Sequence, residues 1–201
     1  MKTSPAIIIL GVLGTIILVA IITFSWGVSK YNGLVTVQES VNSQWANVEN
    51  QYQRRSDLIP NLVATVKGYA SHESATLEGV VTARSKATQV TIDPANLTPE
   101  KLQEYQAAQG QVSSALGKLL MITENYPDLK ANQNFLELQA QLEGTENRIA
   151  VERGRFNESA KAYNNTIRKF PTNIIAGMFG FDKKPYFEAE KGSNKAPEVT
   201  F

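Results

Sequence analysis

Cysteine is absent from this chain, and histidine occurs once, as His72. Without cysteine the chain has no disulfides, no thiolate nucleophiles and no zinc–thiolate sites. The pair His72-Glu73 lacks the second histidine of the H-E-x-x-H zinc motif, since position 76 is Thr76. A serine triad needs a histidine base, and no serine here sits in a strand–turn–helix elbow of the G-x-S-x-G type. We therefore predict a protein that is not an enzyme and that carries no cofactor or metal.

Excess charge of one sign is also missing, because 20 Lys and Arg residues stand against 19 Asp and Glu residues. The positive residues are scattered among acids and form no basic face of the kind that follows phosphates. This distribution excludes nucleic acid as a partner.

One long stretch, residues 6–26 (AIIILGVLGTIILVAIITFSW), has no charged side chain at all. As a helix it would rise roughly 31 Å, which matches the hydrocarbon thickness of a bilayer. A cleaved signal peptide would have a shorter apolar core and a small-x-small cleavage site, and a buried core helix would need other apolar segments around it. The pattern favours a retained anchor over residues 1–28, with the lipid bilayer as a partner. Lys2 and the terminal amine against Lys30 place the following domain on the extracytoplasmic side by the positive-inside rule.

Beyond the anchor, apolar residues recur at steps of three and four, which predicts an all-α fold: an antiparallel bundle of three to four long helices over residues 29–181. After a hinge at Gly27, the first helix is expected to run to about Lys86. Pro60 lies within it and removes the hydrogen bond to the Ser56 carbonyl, so the helix either kinks there or restarts with Asp57 as its cap. We favour a kinked single helix because the apolar spacing keeps its phase across the proline.

Further helix boundaries are marked by turn and cap residues. Thr98 and Pro99 begin a second helix that ends near residues 125–128. A third helix starts at about Asn132 and ends before Pro171. A short apolar docking helix over residues 174–181 precedes an extended tail at 182–201.

Several motifs resemble the LemA family of bacterial membrane proteins. They are residues 53–63 (QRRSDLIPNLV), 66–73 (VKGYASHE), 83–85 (ARS), 124–130 (ENYPDLK), 142–149 (LEGTENRI), 155–157 (RFN), 170–173 (FPTN) and 187–189 (FEA). The resemblance spans nearly everything after the anchor and implies an N-terminally anchored helical bundle in the bacterial inner membrane. It implies no particular reaction.

Charged residues interrupt the apolar spacing of two helices. Arg55 and Glu73 on the first helix, and Glu152 on the third, occupy positions otherwise filled by large apolar side chains. A buried charge is costly unless it is paired, so we expect these residues to pair with one another or to reach water. One interpretation is a set of register-setting salt bridges. The other is a partner site lined by Arg54, Arg55 and Asp57 near Pro60.

The membrane-proximal part of the first helix is expected to extend beyond the third helix. Its apolar residues Val41, Trp45 and Val48 would then lack cover within the chain, which predicts homo-oligomerisation through this face. The function predicted is a membrane-anchored structural or interaction module that self-assembles. The alternative is an accessory adaptor subunit of a membrane-associated protease or other membrane enzyme. That enzyme would then be the membrane protein partner of this chain.

The chain ends in Pro197-Glu198-Val199-Thr200-Phe201. A free carboxylate with apolar side chains at the last and third-last positions suits capture by a PDZ-type domain, in which the peptide adds as a strand to a sheet edge. Val199 and Phe201 are the candidate recognition residues. The alternative is that both side chains pack on the bundle or belong to a disordered terminus.

Overall fold

The computed structural model describes residues 5–188, with side chains from Ile9 onward. All regular structure in this range is helical, as the sequence predicts. The helices are α1 (Pro5–Tyr69), α2 (Ser74–Gln89), a 3-10 turn (Pro94–Asn96), α3 (Pro99–Thr123), α4 (Pro127–Lys130), α5 (Gln133–Arg168) and α6 (Thr172–Phe179).

Two compact units divide the described chain. The first contains the residues up to Ser40 together with Lys161–Lys183, and the second contains Val41–Ala160 together with the residues from Lys184 onward. Helices α1 and α5 contribute residues to both units.

Helix α1 is continuous through Gly27 and through Pro60, so the predicted hinge at Gly27 is wrong. A single glycine costs an interior helix only about 1 kcal/mol relative to alanine. The predicted extension of α1 to Lys86 is also wrong, because the helix ends at Tyr69.

The chain reverses between α1 and α2 over residues 70–73. The amide of Glu73 donates to the carbonyl of Ala70 at 3.1 Å, which closes the turn. Helix α2 then packs back along α1, with the Arg84 side chain reaching the Ser56 carbonyl. Because the chain folds back, the apolar stripes on either side of the turn bury each other instead of forming one long stripe.

Helices α3 and α5 complete the second unit, and their predicted starts are confirmed. The Thr98 hydroxyl accepts a hydrogen bond from the amide of Lys101, and Asn132 Oδ1 accepts one from the amide of Phe135 at 3.0 Å. Each side chain satisfies one of the unpaired amides at a helix start.

Contacts along α1 give the directions of its neighbours. Trp45 contacts Tyr105 and Arg55 contacts Ser113, so α3 runs parallel to α1. Helix α5 runs antiparallel to α1, because Trp45 contacts Phe156 whereas Arg55 contacts Glu146, which precedes it. The second unit is therefore an up-down-up-down arrangement. Its main apolar cluster includes Ile59, Leu62, Val66, Leu77, Val80, Val112, Leu116, Leu119, Leu129, Phe135 and Leu142.

Residues 181–188 lie outside any helix, yet two of their side chains are buried in the second unit. Phe187 stacks on Trp45 with a ring-centroid distance of 5.8 Å. Lys184 Nζ donates to the carbonyls of Pro94 and Ala95 at 2.8 and 3.0 Å. Lys184 and Phe187 are therefore part of the core of the second unit, which the sequence pattern did not indicate.

One described helix, α1, is long and apolar enough to cross a membrane by its length and composition. The large apolar side chains between Ile9 and Phe24 are all exposed, with no described part of the chain covering them.

Candidate functional site

Arg55 is the centre of the polar cluster that joins three helices of the second unit. Its side chain is only 2% exposed. Nη1 donates to Glu146 Oε1 and to Ser113 Oγ, each at 2.7 Å. Nη2 donates to Gln109 Oε1 at 2.6 Å and to the Gln109 backbone carbonyl at 3.1 Å. One guanidinium on α1 therefore binds acceptors on both α3 and α5.

An aromatic ring and a carboxylate both lie against the Arg55 guanidinium. Its guanidinium carbon lies 5.0 Å from the centre of the Tyr52 ring, close enough for a cation–π interaction. Glu146 supplies a negative charge, and its side chain keeps 42% of its surface exposed. The pair is thus buried at the arginine and open to water at the carboxylate, which reduces the cost of desolvation.

Arg84 supplies a second polar connection, from α2 to α1. Its Nε donates to the backbone carbonyl of Ser56 at 2.8 Å. Pro60 has no amide hydrogen, so this carbonyl has no donor within the helix. The arginine replaces the missing hydrogen bond, and α1 continues through the proline without a break.

Two clefts open on either side of Arg55. One has a volume of about 320 Å³ and is lined by Glu49, Tyr52, Arg84, Tyr105 and Gln109, among others. The other has about 330 Å³ and includes Gln106, Glu146 and Arg153 in its lining. Tyr52, Arg55 and Gln109 line both clefts.

Burial raises the pKa values of three groups that line these clefts. Burial is the main cause of the raised pKa values of Tyr52 and Tyr105, so both phenols are neutral hydrogen-bonding groups at physiological pH. Burial also raises the pKa of the Glu49 carboxyl above its ordinary value. Neither tyrosine has the lowered pKa that would favour a phenolate base.

Arg153 is the other cation of the second cleft, and it also contacts groups of the chain itself. Its Nη2 donates to the Glu188 carbonyl at 2.8 Å, and its guanidinium carbon lies 5.0 Å from the centre of the Phe187 ring. Arg55 thus connects α1 with α3 and α5, and Arg153 connects α5 with Phe187 and Glu188. The chemistry of the cluster is that of a polar connection between helices.

The sequence model of the LemA family matches residues 44–201, which is most of the chain. The protein belongs to the LemA family. The resemblance noted in the sequence is confirmed.

Relatives of this LemA-family protein include two magnetosome proteins. MamQ of Magnetospirillum gryphiswaldense is 29% identical over 188 residues, which cover 85% of this chain and 69% of that protein. MamQ 2 of Paramagnetospirillum magneticum is 26% identical over 97% of this chain and 76% of its own length. Protein LemA of Metamycoplasma hominis is 25% identical over 82% of this chain and 71% of its own length.

The charged residues singled out in the LemA-family sequence do not form one network. Arg54 and Asp57 are exposed, and Asp57 accepts a hydrogen bond from Gln53. Glu73 accepts one from the Tyr126 hydroxyl at 3.0 Å. Glu152 pairs with Arg155 at 2.7 Å. The expected pairing of Arg55 with Glu73 or Glu152 is wrong, because the register of α5 places Glu146 opposite Arg55.

The expectation that Val41, Trp45 and Val48 lack cover is also wrong. All three side chains are buried within the chain. The Trp45 ring lies 5.3 Å from the Tyr105 ring and 5.6 Å from the Phe156 ring, measured between centroids. Helices α3 and α5 thus cover this face, together with Phe187, and it offers no surface for a second copy.

The other residues considered in the sequence analysis as possible metal-binding or partner-binding residues are not part of the Arg55 cluster. His72 is exposed in the turn between α1 and α2. Among the described residues, no three or more His, Asp or Glu side chains are grouped closely enough to hold a metal ion. The terminal candidates Val199 and Phe201 lie outside the described residues.

Sequence reasoning missed the neutral partners of Arg55. Gln109 and Ser113 are polar residues on α3, where they sit between apolar positions and are typical of a helix surface. Glu146 was also not identified from the sequence as a partner of Arg55. A signal was present in the spacing, because Glu146 lies four residues after Leu142 and three before Ile149, both of which are buried.

Proposed function

We propose that this LemA-family protein is a single-pass membrane protein whose helical bundle is a structural or interaction module on the extracytoplasmic side, without catalysis of its own. The observation that carries the proposal is the uncovered apolar surface of α1. The large apolar residues from Ile9 to Phe24 are more than half exposed in the folded chain. Such a surface in water would be strongly unfavourable, whereas in a bilayer it contacts hydrocarbon.

The backbone of α1 suits the same environment. The hydroxyl of Thr15 donates to the carbonyl of Gly11, and the hydroxyl of Thr23 donates to the carbonyl of Val19. Their polar atoms are satisfied within the helix, as a bilayer requires. The magnetosome names of two relatives are in keeping with a membrane-associated protein.

A structural role for the bundle is supported by how the three arginines that line its clefts are used. Arg55, Arg84 and Arg153 each donate to acceptors on other segments of the same unit. Groups used in this way hold helices in register and leave few donors for a substrate. The raised pKa values of the cleft tyrosines point the same way.

Membrane integration is tested by alkaline carbonate extraction of the full chain from bacterial membranes. We expect the protein to stay in the pellet, whereas Ile16→Arg with Ile17→Arg should reduce its retention. Release of the unmodified chain by carbonate would contradict the anchor.

Sidedness and partners need separate measurements. Because the chain has no cysteine, Val151→Cys on the exposed surface of α5 provides a single labelling site. A membrane-impermeant maleimide added to intact spheroplasts should label it, and labelling only after lysis would place the bundle in the cytoplasm. Mass spectrometry of detergent-purified protein then distinguishes self-association from a defined partner.

A further inference from the structure

Helix α6 presents its apolar side chains outward. Phe170, just before the helix, is 81% exposed, and Ile174 and Met178 are 51% and 72% exposed. These residues are spaced by four, so Ile174 and Met178 share one face of the helix. The smaller Thr172 and Ala176 are buried on the other side. This pattern is the reverse of a helix that packs its apolar face on a core.

Contacts within the first unit place α6 beside the end of the apolar run of α1. A Cβ atom at Gly27 would lie 3.9 Å from Ile175 Cδ1. The Tyr31 ring lies 4.9 Å from the Phe179 ring between centroids. Gly27 and Tyr31 follow Trp26, the last residue of the apolar stretch 6–26, by roughly 1.5 to 8 Å along the helix axis. Helix α6 is therefore level with the turn at which the span would leave the hydrocarbon.

Charges and aromatic rings around α6 match a membrane surface. Four exposed basic residues lie close in sequence to these contacts, on α1 and on both sides of α6: Lys30, Arg168, Lys169 and Lys183. Asp182 is the one exposed acid among them. Positive side chains at this depth attract anionic headgroups. Trp26 and Tyr31 lie where aromatic residues collect at membrane interfaces.

We propose that α6 is an interfacial helix that inserts Phe170, Ile174 and Met178 among the lipid headgroups of the bilayer that holds α1. This inference rests on the proposed anchor and adds a second contact of the first unit with the same leaflet. The partner is a lipid surface, preferably one with anionic headgroups.

A bilayer fits this face better than a second copy of the chain. The exposed face of α6 lies beside the end of the apolar run of α1, at the level of Gly27 and Tyr31. Its few large side chains would bury on the order of 500 Å². A stable protein interface needs about 800 Å² on each partner.

The test uses the absence of cysteine from the chain. Met178→Cys, Ile17→Cys and Met121→Cys each introduce one site for a nitroxide spin label in the full chain. Met121 is the matched control, because it is 73% exposed, like Met178 at 72%, but lies on α3. The labelled proteins are reconstituted into vesicles of phosphatidylcholine with phosphatidylglycerol. Collisions with oxygen, which partitions into lipid, are compared with collisions with a water-soluble nickel chelate.

We expect the label at position 178 to favour oxygen, at a shallower depth than the label at 17, while the label at 121 favours the nickel chelate. If position 17 is in lipid but position 178 behaves like 121, the interfacial helix is wrong and the anchor stands. If position 17 is itself aqueous, the anchor fails, and this inference fails with it. Shielding of position 178 from both reagents, with spin–spin broadening between labels, would show a second copy on this face and overturn the proposal.

Discussion

Arg84 Nε donates a hydrogen bond to the Ser56 carbonyl at 2.8 Å, and that carbonyl is the one that Pro60 leaves without a helical donor. A proline inside a helix costs about 3 kcal/mol, partly because this acceptor is orphaned. Here the donor comes from the next helix along the chain. The same contact ties α2 to α1, so the proline and the hairpin depend on each other.

Replacing Arg84 should therefore destabilise the protein more when the proline is present than when it is absent. Arg84→Met keeps much of the apolar stem but leaves the buried Ser56 carbonyl unpaired, which should lower the free energy of unfolding by about 1–3 kcal/mol. With Pro60→Ala in the background the helix supplies its own donor, and the loss should shrink by about 1 kcal/mol. Denaturant unfolding of the detergent-solubilised chain, followed by circular dichroism, measures both.

Lys86→Met is the control for this cycle, since Lys86 is an exposed cation on the same helix. It should change the stability by less than about 0.5 kcal/mol. Equal losses from Arg84→Met with and without Pro60 would show that the arginine does not substitute for the missing amide.

Adjacent arginines offer a second matched comparison. Arg55→Met removes the guanidinium that donates to Gln109, Ser113 and Glu146. We expect this substitution to lower the free energy of unfolding by about 3 kcal/mol or more. Arg54→Met, at an exposed neighbouring position, should cost less than about 0.5 kcal/mol. Unfolding curves of the two variants in the same detergent give the difference.

Glu146→Gln should cost far less than Arg55→Met, because the carboxylate is partly solvated and its amide replacement still accepts a hydrogen bond. A loss from Glu146→Gln as large as that from Arg55→Met would mean that the ion pair, and not the full set of acceptors, supports the cluster.

Glu49 gives a prediction of pH dependence. Burial raises the pKa of its carboxyl above the ordinary value of 4.5, so the native state holds the proton more tightly than the unfolded state. The stability that this group contributes is present below about pH 4.5 and is lost as the pH rises through the raised pKa. Glu49→Gln should thus raise the thermal midpoint at neutral pH, and the gain should shrink towards pH 4.

Thermal melts of Glu49→Gln and the unmodified chain between about pH 4 and pH 8 measure this effect. The same substitution at the exposed Glu104 is the control and should move the midpoint little. A lower midpoint for Glu49→Gln at neutral pH would mean that the ionised carboxylate stabilises the fold.

Phe187 tests whether the non-helical segment belongs to the core. Its ring stacks on Trp45 and meets Phe156 edge-on at 5.3 Å between centroids. Phe187→Ala should cost about 3–5 kcal/mol, because it empties a buried aromatic site. Met121→Ala, at an exposed position, should cost less than about 0.5 kcal/mol. Similar thermal midpoints for the two variants would show that the segment does not pack in solution.

Helix type and several boundaries were predictable from the sequence. The spacing of apolar residues along α3 and α5 indicates helices directly, and Thr98-Pro99 marks the start of α3 because its cap is a local interaction. The break between α1 and α2 was not predictable in the same way. The four residues Ala70, Ser71, His72 and Glu73 contain neither glycine nor proline, and the apolar spacing continues across them.

The partners of Arg55 show a related limit. The need for a pair follows from a charge in an apolar row, and the structure confirms that Arg55 is buried and paired. From the sequence alone, several acids could have been the partner of Arg55, including Glu73, Glu146 and Glu152. The relative register of α1 and α5 selects Glu146, and register depends on how whole helix faces pack.

Local properties of the chain thus account for its helices, its uncharged apolar run and its family, because each depends on residues close together in sequence. Contacts between distant residues came from the folded structure: Arg84 at the carbonyl freed by Pro60, Phe187 against Trp45, and α6 beside Gly27. The reason is physical. A helix pattern repeats every few residues, so it states which face is apolar but not which residues of two apolar faces will meet.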